Sequence, residues 1–499
     1  GDNVLLSAPT GSGKTLAAFL WTLNRYATRD LAPGQLGVLY VSPLKALGND
    51  MERNLRRPLR ALSSMQDGSQ PLLPPIQVAV RTGDTPGSQR QRMLRKPPEI
   101  LITTPESLNI MLTSGGGRGL LSHVDTVVLD EIHAVAGSKR GAQLMVSVER
   151  LAALAGEFGR IALSATVSPL EEVGRWVAGR VPSHTTAESG APVYQPRPIT
   201  CLQVGSGPHL ESAPEGGKRY ELLVDFPNDT AFDEADPDEA DPPETPSPLK
   251  KKRPKRRTAA QRREAFWERL GARLRRELAG NESTLIFANS RRLVEKLTRL
   301  INEGAEGAQQ HDVVGLPRDP DRQRRWVYSH HGSLSKEIRL MVERRLKAGE
   351  LAGIVSTSTL ELGIDIGDLD GVLMVQSPPS VASALQRVGR SGHGVGETSR
   401  GLFLPLYSRD LLDAAVMVEA MSRGELEPTA PVRRPLDVLA QTVVSMVVGG
   451  PRSLDELHQE LGRAVPFEGF PRAALEAVVR LLSGRLEGLR DAQVKPLLV

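Results

Sequence analysis

The segment Ala8-Pro9-Thr10-Gly11-Ser12-Gly13-Lys14-Thr15 lies between a short apolar run, Val4-Leu5-Leu6, and a helical pattern. Its two glycines let the backbone curl so that N–H groups point at phosphate oxygens at the amino end of the next helix. Lys14 is expected to reach the terminal phosphates, and Thr15 to ligate Mg²⁺. The segment therefore predicts a loop that binds ATP with Mg²⁺. Its predicted nucleotide-binding residues are Thr10, Gly11, Ser12, Gly13, Lys14 and Thr15.

An acidic motif supports the same site. Asp130-Glu131-Ile132-His133 follows the apolar run Val127-Val128-Leu129. A carboxylate at the end of a buried strand can lie over a phosphate loop, where Asp130 would hold magnesium through water and Glu131 would polarise the attacking water. The alternative is an acidic pair that caps the next helix. His133 is interpreted as a link from the nucleotide site to the other loops of the sheet.

Two further motifs lie at predicted strand ends. Ser164-Ala165-Thr166 follows Ile161-Ala162-Leu163, and its hydroxyls can couple hydrolysis at the acidic motif to motion. In the second half of the chain, Ser356 to Asp365 follows another buried run. There Thr357 and Ser358 suit phosphodiester contacts, while Gly363 and Asp365 lie where a loop could turn back towards ATP.

The segment Gln386-Arg387-Val388-Gly389-Arg390-Ser391-Gly392-His393 supplies two arginines. Arg390 is the first candidate for the side chain that stabilises charge on the γ-phosphate. Arg387 is the second candidate, or else a structural residue bound to a carboxylate. Gln386 is expected to contact the nucleotide or the water. One ATP site divided between two distant stretches indicates a motor.

A separate set of loops suits a nucleic-acid backbone. Each follows a predicted strand, and the carboxyl ends of parallel strands share one edge of a sheet, where ligands bind. Their side chains can hold a sugar-phosphate backbone without reading bases. His330-His331 is interpreted as part of the same path rather than as a zinc site. Besides Thr357 and Ser358, the predicted nucleic-acid contacts are Pro43, Lys45, Thr82, Gly83, Thr104, Pro105, Asn289, Ser290 and Arg291.

Composition is that of a globular protein, with 39% hydrophobic and 24% charged residues and a formal net charge of +4. No stretch approaches the roughly 20 apolar residues that span a bilayer, so a membrane role is not expected. A single cysteine, Cys201, excludes a disulfide framework and fits a reducing compartment. These features predict a cytoplasmic protein.

Alternating apolar runs and helical patterns predict an α/β fold with two tandem parallel-sheet domains. Residues 1–200 form the expected ATP-binding domain and residues 266–427 the second. The connector, 201–265, carries an acidic, proline-rich tract followed by Lys250-Lys251-Lys252-Arg253, interpreted as disordered. It is either a nucleic-acid-binding arm or a solvated linker. After about Pro428 the pattern is helical, with a capping box at Ser453 and Glu456, and resembles the start of a winged-helix domain cut within a larger polypeptide.

In order, APTGSGKT, SPLKAL, TTPESL, DEIH, SAT, the Asn289-Ser290-Arg291 loop, STSTLELGIDIG and QRVGRSGH resemble the motifs of superfamily 2 helicases. The runs LELGIDIG and SPPSVA, together with VRRPLDVLAQ from Val432 to Gln441, resemble the large helicase-related (Lhr) family. This resemblance implies two RecA-like domains and a partial winged-helix domain. It also implies an ATP- and Mg²⁺-dependent motor that moves 3′ to 5′ on single-stranded DNA, unwinds DNA or RNA:DNA duplexes, and acts in bacterial DNA repair near the nucleoid.

Two features depart from that pattern. His393 stands where many superfamily 2 members have a second arginine, which favours Arg390 over a two-arginine arrangement. The charged tract is not an expected core feature. The alternatives left open are an RNA helicase of the Ski2-like or DEAD-box kind, a restriction-enzyme motor subunit, and a nucleic-acid-binding scaffold with an inactive ATP site.

Overall fold

Short β-branched and apolar runs form the central strands of two sheets, one in each of two units of the chain. Unit 1 comprises Gly1–Ser206 and Leu426–Val499, and unit 2 comprises Gly207–Glu425. The computed structural model describes residues 2–9, 12–28, 30–43, 45–67, 70–71, 73–186, 192–204, 219–226, 258–303, 326–361, 367, 369–392 and 397–485.

Unit 1 is built on a seven-stranded parallel sheet with the strand order β11-β1-β8-β7-β2-β6-β5. Two short antiparallel pairs, β3–β4 and β9–β10, lie outside it. The strands are β1 (Asn3–Ser7), β2 (Val38–Val41), β3 (Gln66–Asp67), β4 (Gln70–Pro71), β5 (Val78–Arg81), β6 (Ile100–Thr103), β7 (Thr126–Leu129), β8 (Gly159–Ser164), β9 (Arg180–Thr186), β10 (Pro192–Pro196) and β11 (Ile199–Gln203).

Helices cover both faces of this sheet, so its central strands are buried on both sides. One core includes Leu39, Val127 and Trp176, and the other includes Phe19, Tyr40 and Ile102. The helices are α1 (Lys14–Ala27), α2 (Lys45–Ser64), α3 (Gly87–Arg95), α4 (Pro105–Thr113), α5 (Gly115–Leu121), α6 (His133–Ala136), α7 (Lys139–Ala155) and α8 (Leu170–Ala178).

Unit 2 has a six-stranded parallel sheet with the order β12-β17-β16-β13-β15-β14. Its strands are β12 (Arg219–Val224), β13 (Thr284–Ala288), β14 (Trp326–His330), β15 (Leu351–Ser356), β16 (Gly371–Val375) and β17 (Thr398–Leu404). Its helices are α9 (Ala259–Gly280), α10 (Arg291–Glu303), α11 (Lys336–Lys347), α12 (Val381–Val388) and α13 (Ser408–Arg423).

The last helical segment belongs to unit 1. It contains α14 (Leu436–Val447), α15 (Leu454–Gly462) and α16 (Arg472–Leu482). The predicted capping box is confirmed, because Ser453 and Glu456 satisfy each other's backbone N–H groups at the start of α15. Val146 of α7 lies in the same core as Leu439 and Phe467, so the segment packs directly on the first sheet domain.

The segment interpreted as a connector contributes regular structure at both of its ends and also in between, at β12. Residues 201–203 complete β11, which pairs with β1, and β12 pairs with β17 at the edge of the second sheet. Helix α9 begins at Ala259, where the Thr258 side chain caps it in a box with Gln261. Edge strands of this kind alternate in burial rather than forming a continuous apolar run, which explains why the sequence did not reveal them. The charged tract lies outside the described residues.

Among the described helices, none combines the length and the apolar character needed to cross a bilayer.

Candidate functional site

The phosphate-loop segment links β1 to α1. Gly13 precedes the first turn of α1 and has a left-handed backbone conformation with φ +83°. A residue with a side chain would be strained in this conformation. The Lys14 ammonium donates to the carbonyl oxygens of Ala8 at 2.5 Å and Pro9 at 2.8 Å. The Ala8 N–H donates to the Ser164 carbonyl at 3.0 Å, so the loop is tied to the end of β8.

The carboxylate of Asp130 lies directly after β7 and is 7% exposed. Its Oδ1 accepts the Glu131 N–H at 2.9 Å, and its Oδ2 accepts the phenolic hydrogen of Tyr40, a residue of β2. Burial raises the pKa of Tyr40 well above its ordinary value, Asp130 raises it further, and a hydrogen bond with Thr15 opposes the shift. Tyr40 therefore interacts with both residues that the sequence assigns to magnesium.

Burial also raises the pKa of Asp130 to about 7, and the adjacent Glu131 carboxylate acts in the same direction. Two neighbouring carboxylates in a buried place repel each other, and a cation would relieve that repulsion. A threonine hydroxyl and carboxylate oxygens are hard ligands of the kind that Mg²⁺ prefers. The residues present thus fit a magnesium ion.

His133 connects the acidic motif to the end of β8. Its Nδ1 accepts the Ala165 N–H at 3.2 Å and lies 3.1 Å from the Ser164 hydroxyl, while its Nε2 lies 3.4 Å from a Glu131 carboxylate oxygen. An Nδ1 that accepts a backbone N–H carries no proton, so the neutral ring has its hydrogen on Nε2, facing Glu131. The predicted coupling residues His133, Ser164 and Ala165 are in mutual contact, and Thr166 follows them in the chain.

The carboxyl edge of the first sheet is divided into two regions. The phosphate loop follows β1, the acidic motif follows β7, and Ser164 ends β8, the strand between those two. The loops predicted to bind nucleic acid follow the other neighbours, β2, β6 and β5. The strand order therefore separates the two predicted sites along one edge.

Within the second region, several predicted contact residues also have structural roles. Thr104 is 2% exposed and caps α4, accepting the Ser107 N–H, and Pro105 begins that helix. The Thr82 hydroxyl accepts the Asp84 N–H at 3.3 Å, and the carbonyl of exposed Gly83 accepts from Arg90 at 2.9 Å. Pro43 is buried, and Lys45 begins α2. Their contacts with nucleic acid stay predictions.

Unit 2 also has predicted nucleic-acid contact residues at the carboxyl edge of its sheet, after β13 and β15. Asn289, Ser290 and Arg291 are exposed after β13, and Ser290 caps the first turn of α10 by accepting the Leu293 N–H at 3.2 Å. Ser358 is exposed after β15, and Thr357 is half-buried beside it. Because β13 and β15 are neighbours, both groups lie on the same part of the edge.

The arginine motif is buried within unit 2. Arg387 on α12 donates to Glu361 at 3.0 Å and to Asn289 at 3.3 Å, and its guanidinium lies 5.0 Å from the Phe287 ring centroid. This arrangement matches the alternative of a structural arginine bound to a carboxylate. Gln386 and Arg390 are also buried, with Arg390 on the turn that follows α12. The catalytic roles of all three stay predictions.

The two histidines at the end of β14 each face one carboxylate: His330 is the last residue of the strand, and His331 follows it. His330 Nε2 lies 3.0 Å from Glu343 and its Nδ1 lies 2.9 Å from the Thr359 hydroxyl, while His331 Nε2 lies 2.7 Å from Glu295. Among the residues that the structure describes, no group of three or more His, Cys, Asp or Glu side chains could hold a metal ion.

Some predicted residues lie outside the described part of the chain: Thr10, Gly11, Gly363, Asp365, His393 and the Lys45 side chain. Two residues of the site were not found from the sequence. Tyr40 stands in the apolar run Val38-Leu39-Tyr40-Val41, a pattern that indicates only a strand, although a hydroxyl on a fully buried strand needs a partner. Glu361, the partner of Arg387, lies within the Ser356 to Asp365 segment, where the sequence pattern indicates functional roles for other residues.

Three family models match the chain in succession. Residues 1–173 match a DEAD/DEAH box helicase domain, residues 268–394 a helicase conserved C-terminal domain, and residues 419–491 the winged-helix domain of large helicase-related protein. The two sheet domains are therefore RecA-like helicase domains, and the helical segment belongs to a winged-helix domain.

Curated relatives extend over the whole chain. An Lhr helicase/probable uracil glycosylase of Mycolicibacterium smegmatis is 41% identical over all of this chain, which covers 31% of that protein. ATP-dependent helicase Lhr-Core protein 2 of Thermococcus barophilus is 37% identical over 99% of this chain, which covers 50% of that protein. The chain thus spans a third to a half of these relatives.

A solved structure of Mycobacterium smegmatis helicase Lhr bound to ssDNA and AMP-PNP has a TM-score of 0.75 and 40% sequence identity. The similarity covers 99% of this chain and 55% of that one. Domain order, relatives and fold agree with the motifs that surround the phosphate loop. The chain belongs to the large helicase-related (Lhr) family of superfamily 2 helicases.

Proposed function

We propose that this chain is the motor of an ATP-dependent helicase that moves 3′ to 5′ on single-stranded DNA, unwinds DNA or RNA:DNA duplexes, and acts in DNA repair. The observation that carries the proposal is the division of the carboxyl edge in unit 1. The residues of the proposed nucleotide site lie at the ends of β1, β8 and β7. The residues suited to a nucleic-acid backbone lie at the ends of β2, β6 and β5. A motor needs both kinds of site on one rigid element, so that a change at one can alter the other.

In the proposed ATP site, Lys14 leaves the loop carbonyls to bind the terminal phosphates, and Gly13 and Ser12 contribute backbone N–H groups. Glu131 orients the attacking water and accepts its proton. Gln386 and Arg390 complete the nucleotide-binding set, with Arg390 stabilising charge on the γ-phosphate and Arg387 positioned by Glu361. Gly363 and Asp365 are assigned to the same set from their sequence position.

Thr15 and Asp130 would hold Mg²⁺, which neutralises phosphate charge when bound. Tyr40 orients the Asp130 carboxylate for this task, since its hydrogen bond fixes one of the two carboxylate oxygens. Glu131 lies 3.4 Å from His133, His133 contacts the Ser164 hydroxyl, and the Ser164 carbonyl accepts the Ala8 N–H. These contacts supply a route by which loss of the γ-phosphate alters the ends of β8 and β1.

Single-stranded DNA is the proposed track. In unit 1 it is held by Pro43, Lys45, Thr82, Gly83, Thr104 and Pro105, and in unit 2 by Asn289, Ser290, Arg291, Thr357 and Ser358. These residue types contact phosphate and sugar, so binding should depend little on base sequence and strongly on salt. The ssDNA in the solved Mycobacterium smegmatis relative supports this choice of strand. A location at the bacterial nucleoid would follow from it.

The first test measures ATP hydrolysis with and without single-stranded DNA or RNA of the same sequence. We expect DNA to stimulate hydrolysis and Lys14→Ala to abolish the stimulation. Lys139→Ala is the matched control, because Lys139 is 64% exposed and forms only a surface ion pair with Asp437. Stimulation by RNA alone would contradict the DNA assignment, and an unchanged rate in Lys14→Ala would contradict the motor.

The second test concerns direction. Duplexes with a 3′ or a 5′ single-stranded tail are compared for ATP-dependent strand displacement, with a displaced strand of DNA or of RNA. We expect displacement only where the protein can load on a 3′ tail. Equal displacement from both tails would indicate local strand separation without directional movement.

A further inference from the structure

A cavity of about 270 Å³ lies in unit 1 between the first sheet domain and the winged-helix segment. Its walls come from α4, α5 and α7 on one side, and from α14, α15 and the loop between these two helices on the other. Three arginines and one carboxylate line it: Arg118, Arg150, Arg452 and Glu460.

Two of the arginines share the single carboxylate. Arg452 donates to Glu460 at 2.9 Å, and the Arg150 Nε lies 3.8 Å from the same side chain. Arg150 is fixed further by Asn109 at 2.8 Å and by the Ser445 hydroxyl at 2.9 Å. A rigid guanidinium at the cavity wall is therefore already in place before any ligand arrives.

Arg118 is the third cation, and among the described residues no carboxylate lies within ion-pair distance of it. Its Nη1 lies 3.6 Å from where a Cβ on Gly449 would be, so the side chain extends across to the loop between α14 and α15. Burial lowers the pKa of Arg150 to about 10; Glu460 opposes this shift, and the charges of Arg118 and Arg452 add to it. Three guanidinium groups against one carboxylate leave an excess of two positive charges around the cavity.

The cavity is separate from the proposed nucleotide and DNA sites. Helix α7 begins soon after the acidic motif at the carboxyl edge, and its last turn leads into β8 at the opposite, amino edge. Arg150 and the cavity residues that follow it on α7 belong to the second half of that helix. The arginines thus lie towards the amino edge of the sheet, where none of the predicted motif loops is placed.

We propose that this cavity binds a small phosphorylated molecule through a terminal phosphate monoester. Such a group carries between one and a half and two negative charges at neutral pH, which matches the excess positive charge, whereas an internal phosphodiester carries one. Arginine is suited to phosphate because its planar fork donates two parallel hydrogen bonds. Since the ligand touches both the first sheet domain and the winged-helix segment, its binding stabilises their packing. The proposal does not depend on helicase activity.

The test uses inorganic phosphate as the probe and the thermal unfolding midpoint of the full chain as the readout, at constant ionic strength with chloride as the reference salt. A ligand that binds only the folded protein raises the midpoint. We expect phosphate to raise it in the wild type and in Lys14→Ala, and we expect Arg118→Ala to weaken phosphate binding by about tenfold or more. Arg118→Lys should retain part of the effect. Arg480→Ala should retain all of it, because Arg480 on α16 is 64% exposed and pairs with Glu476 away from the cavity lining.

Three outcomes would overturn the proposal. In the first, Arg118→Ala responds to phosphate as the wild type does. In the second, the response disappears in Lys14→Ala, so phosphate binds only at the phosphate loop. In the third, single-stranded DNA without terminal phosphates displaces phosphate from the Lys14→Ala protein, so the cavity belongs to the nucleic-acid backbone. If Arg118→Ala does not fold, Arg452→Ala gives the same comparison at another arginine of the cavity, whose side chain is 29% exposed.

Discussion

Tyr40 on β2 donates its phenolic hydrogen to the Asp130 carboxylate, which follows the neighbouring strand β7. The same phenol also forms a hydrogen bond with Thr15. One buried hydroxyl therefore connects the two residues assigned to magnesium, although neither is near it in the sequence. The orientation of the carboxylate depends on a strand residue rather than on the motif loops.

Tyr40→Phe should impair ATP hydrolysis while leaving the fold intact. The substitution leaves a buried carboxylate oxygen without its donor, and a hydrogen bond to a charged group contributes about 1.5–3 kcal/mol. We expect the rate to fall roughly ten- to a hundredfold, with a larger Mg²⁺ requirement. The measurement is ATPase rate against Mg²⁺ concentration.

Tyr26→Phe is the matched control for that experiment. Tyr26 lies in the same core, is fully buried, and its hydroxyl donates to the Glu99 carbonyl at 3.1 Å, away from the acidic motif. It should lower stability to a similar extent without changing the Mg²⁺ dependence. If both variants lose activity equally, Tyr40 acts through stability alone.

His133→Ala should separate ATP hydrolysis from strand displacement. The ring joins Glu131 to Ser164 and Ala165, so its loss breaks the connection between the acidic motif and the end of β8. We expect strand displacement to fall by about tenfold or more while ATP hydrolysis changes by about threefold or less. Both rates are measured on the same tailed duplex.

Ser164→Ala removes the same connection from its other end and should give a weaker version of the result. His458→Ala is the control, since His458 bonds to the Phe470 carbonyl at 2.8 Å within the winged-helix segment. Loss of both activities in parallel in His133→Ala would assign His133 to chemistry and not to coupling.

The raised pKa of Asp130 predicts how stability depends on pH in the absence of magnesium. Burial, then the Glu131 charge, raises this pKa to about 7 from an ordinary value of 3.8. Between these two pH values the folded state keeps a proton on Asp130 that the unfolded state releases. This proton uptake stabilises the folded state fully below pH 3.8, and the stabilisation is lost as the pH rises through about 7.

In EDTA, Asp130→Asn should remove this contribution. We expect the variant to unfold a few degrees above the wild type at pH 8, and the difference to shrink by pH 6. Thermal unfolding at the two pH values measures it. A constant difference between the two proteins across this range would mean that Asp130 does not titrate there.

Much of the architecture could be predicted from the sequence, because continuous apolar runs such as Val127-Val128-Leu129 have few structures open to them besides buried parallel strands. The roles of Gly13 and of the Ser453 cap could also be predicted, because each depends only on residues a few positions away in the chain. The roles of Tyr40 and Glu361, and the edge strands β11 and β12, could not be predicted from the sequence. Their partners are distant in sequence, and nothing local distinguishes a strand tyrosine that contacts Asp130 from one that only fills the core.

Arg387 and Arg390 are separated by one turn of chain, yet we expect substitution of Arg387 to lower stability and substitution of Arg390 to lower the ATPase rate. Arg387 is held by Glu361, with side chains only 3% and 14% exposed. Removing one partner of such a buried pair costs about 3–5 kcal/mol, so Arg387→Ala should lower the unfolding midpoint markedly, and Glu361→Gln should do so to a lesser extent.

Arg390→Ala is expected to reduce the ATPase rate by about 10³, as for an arginine that stabilises charge on the transferred phosphoryl group, with nucleotide affinity nearly unchanged. Arg390→Lys should recover part of the rate, because the charge remains while the fork is lost. Steady-state ATPase and equilibrium binding of a fluorescent ATP analogue separate the two effects. If Arg390→Ala lost nucleotide binding and stability together while Arg387→Ala stayed folded and inactive, the two assignments would have to be exchanged.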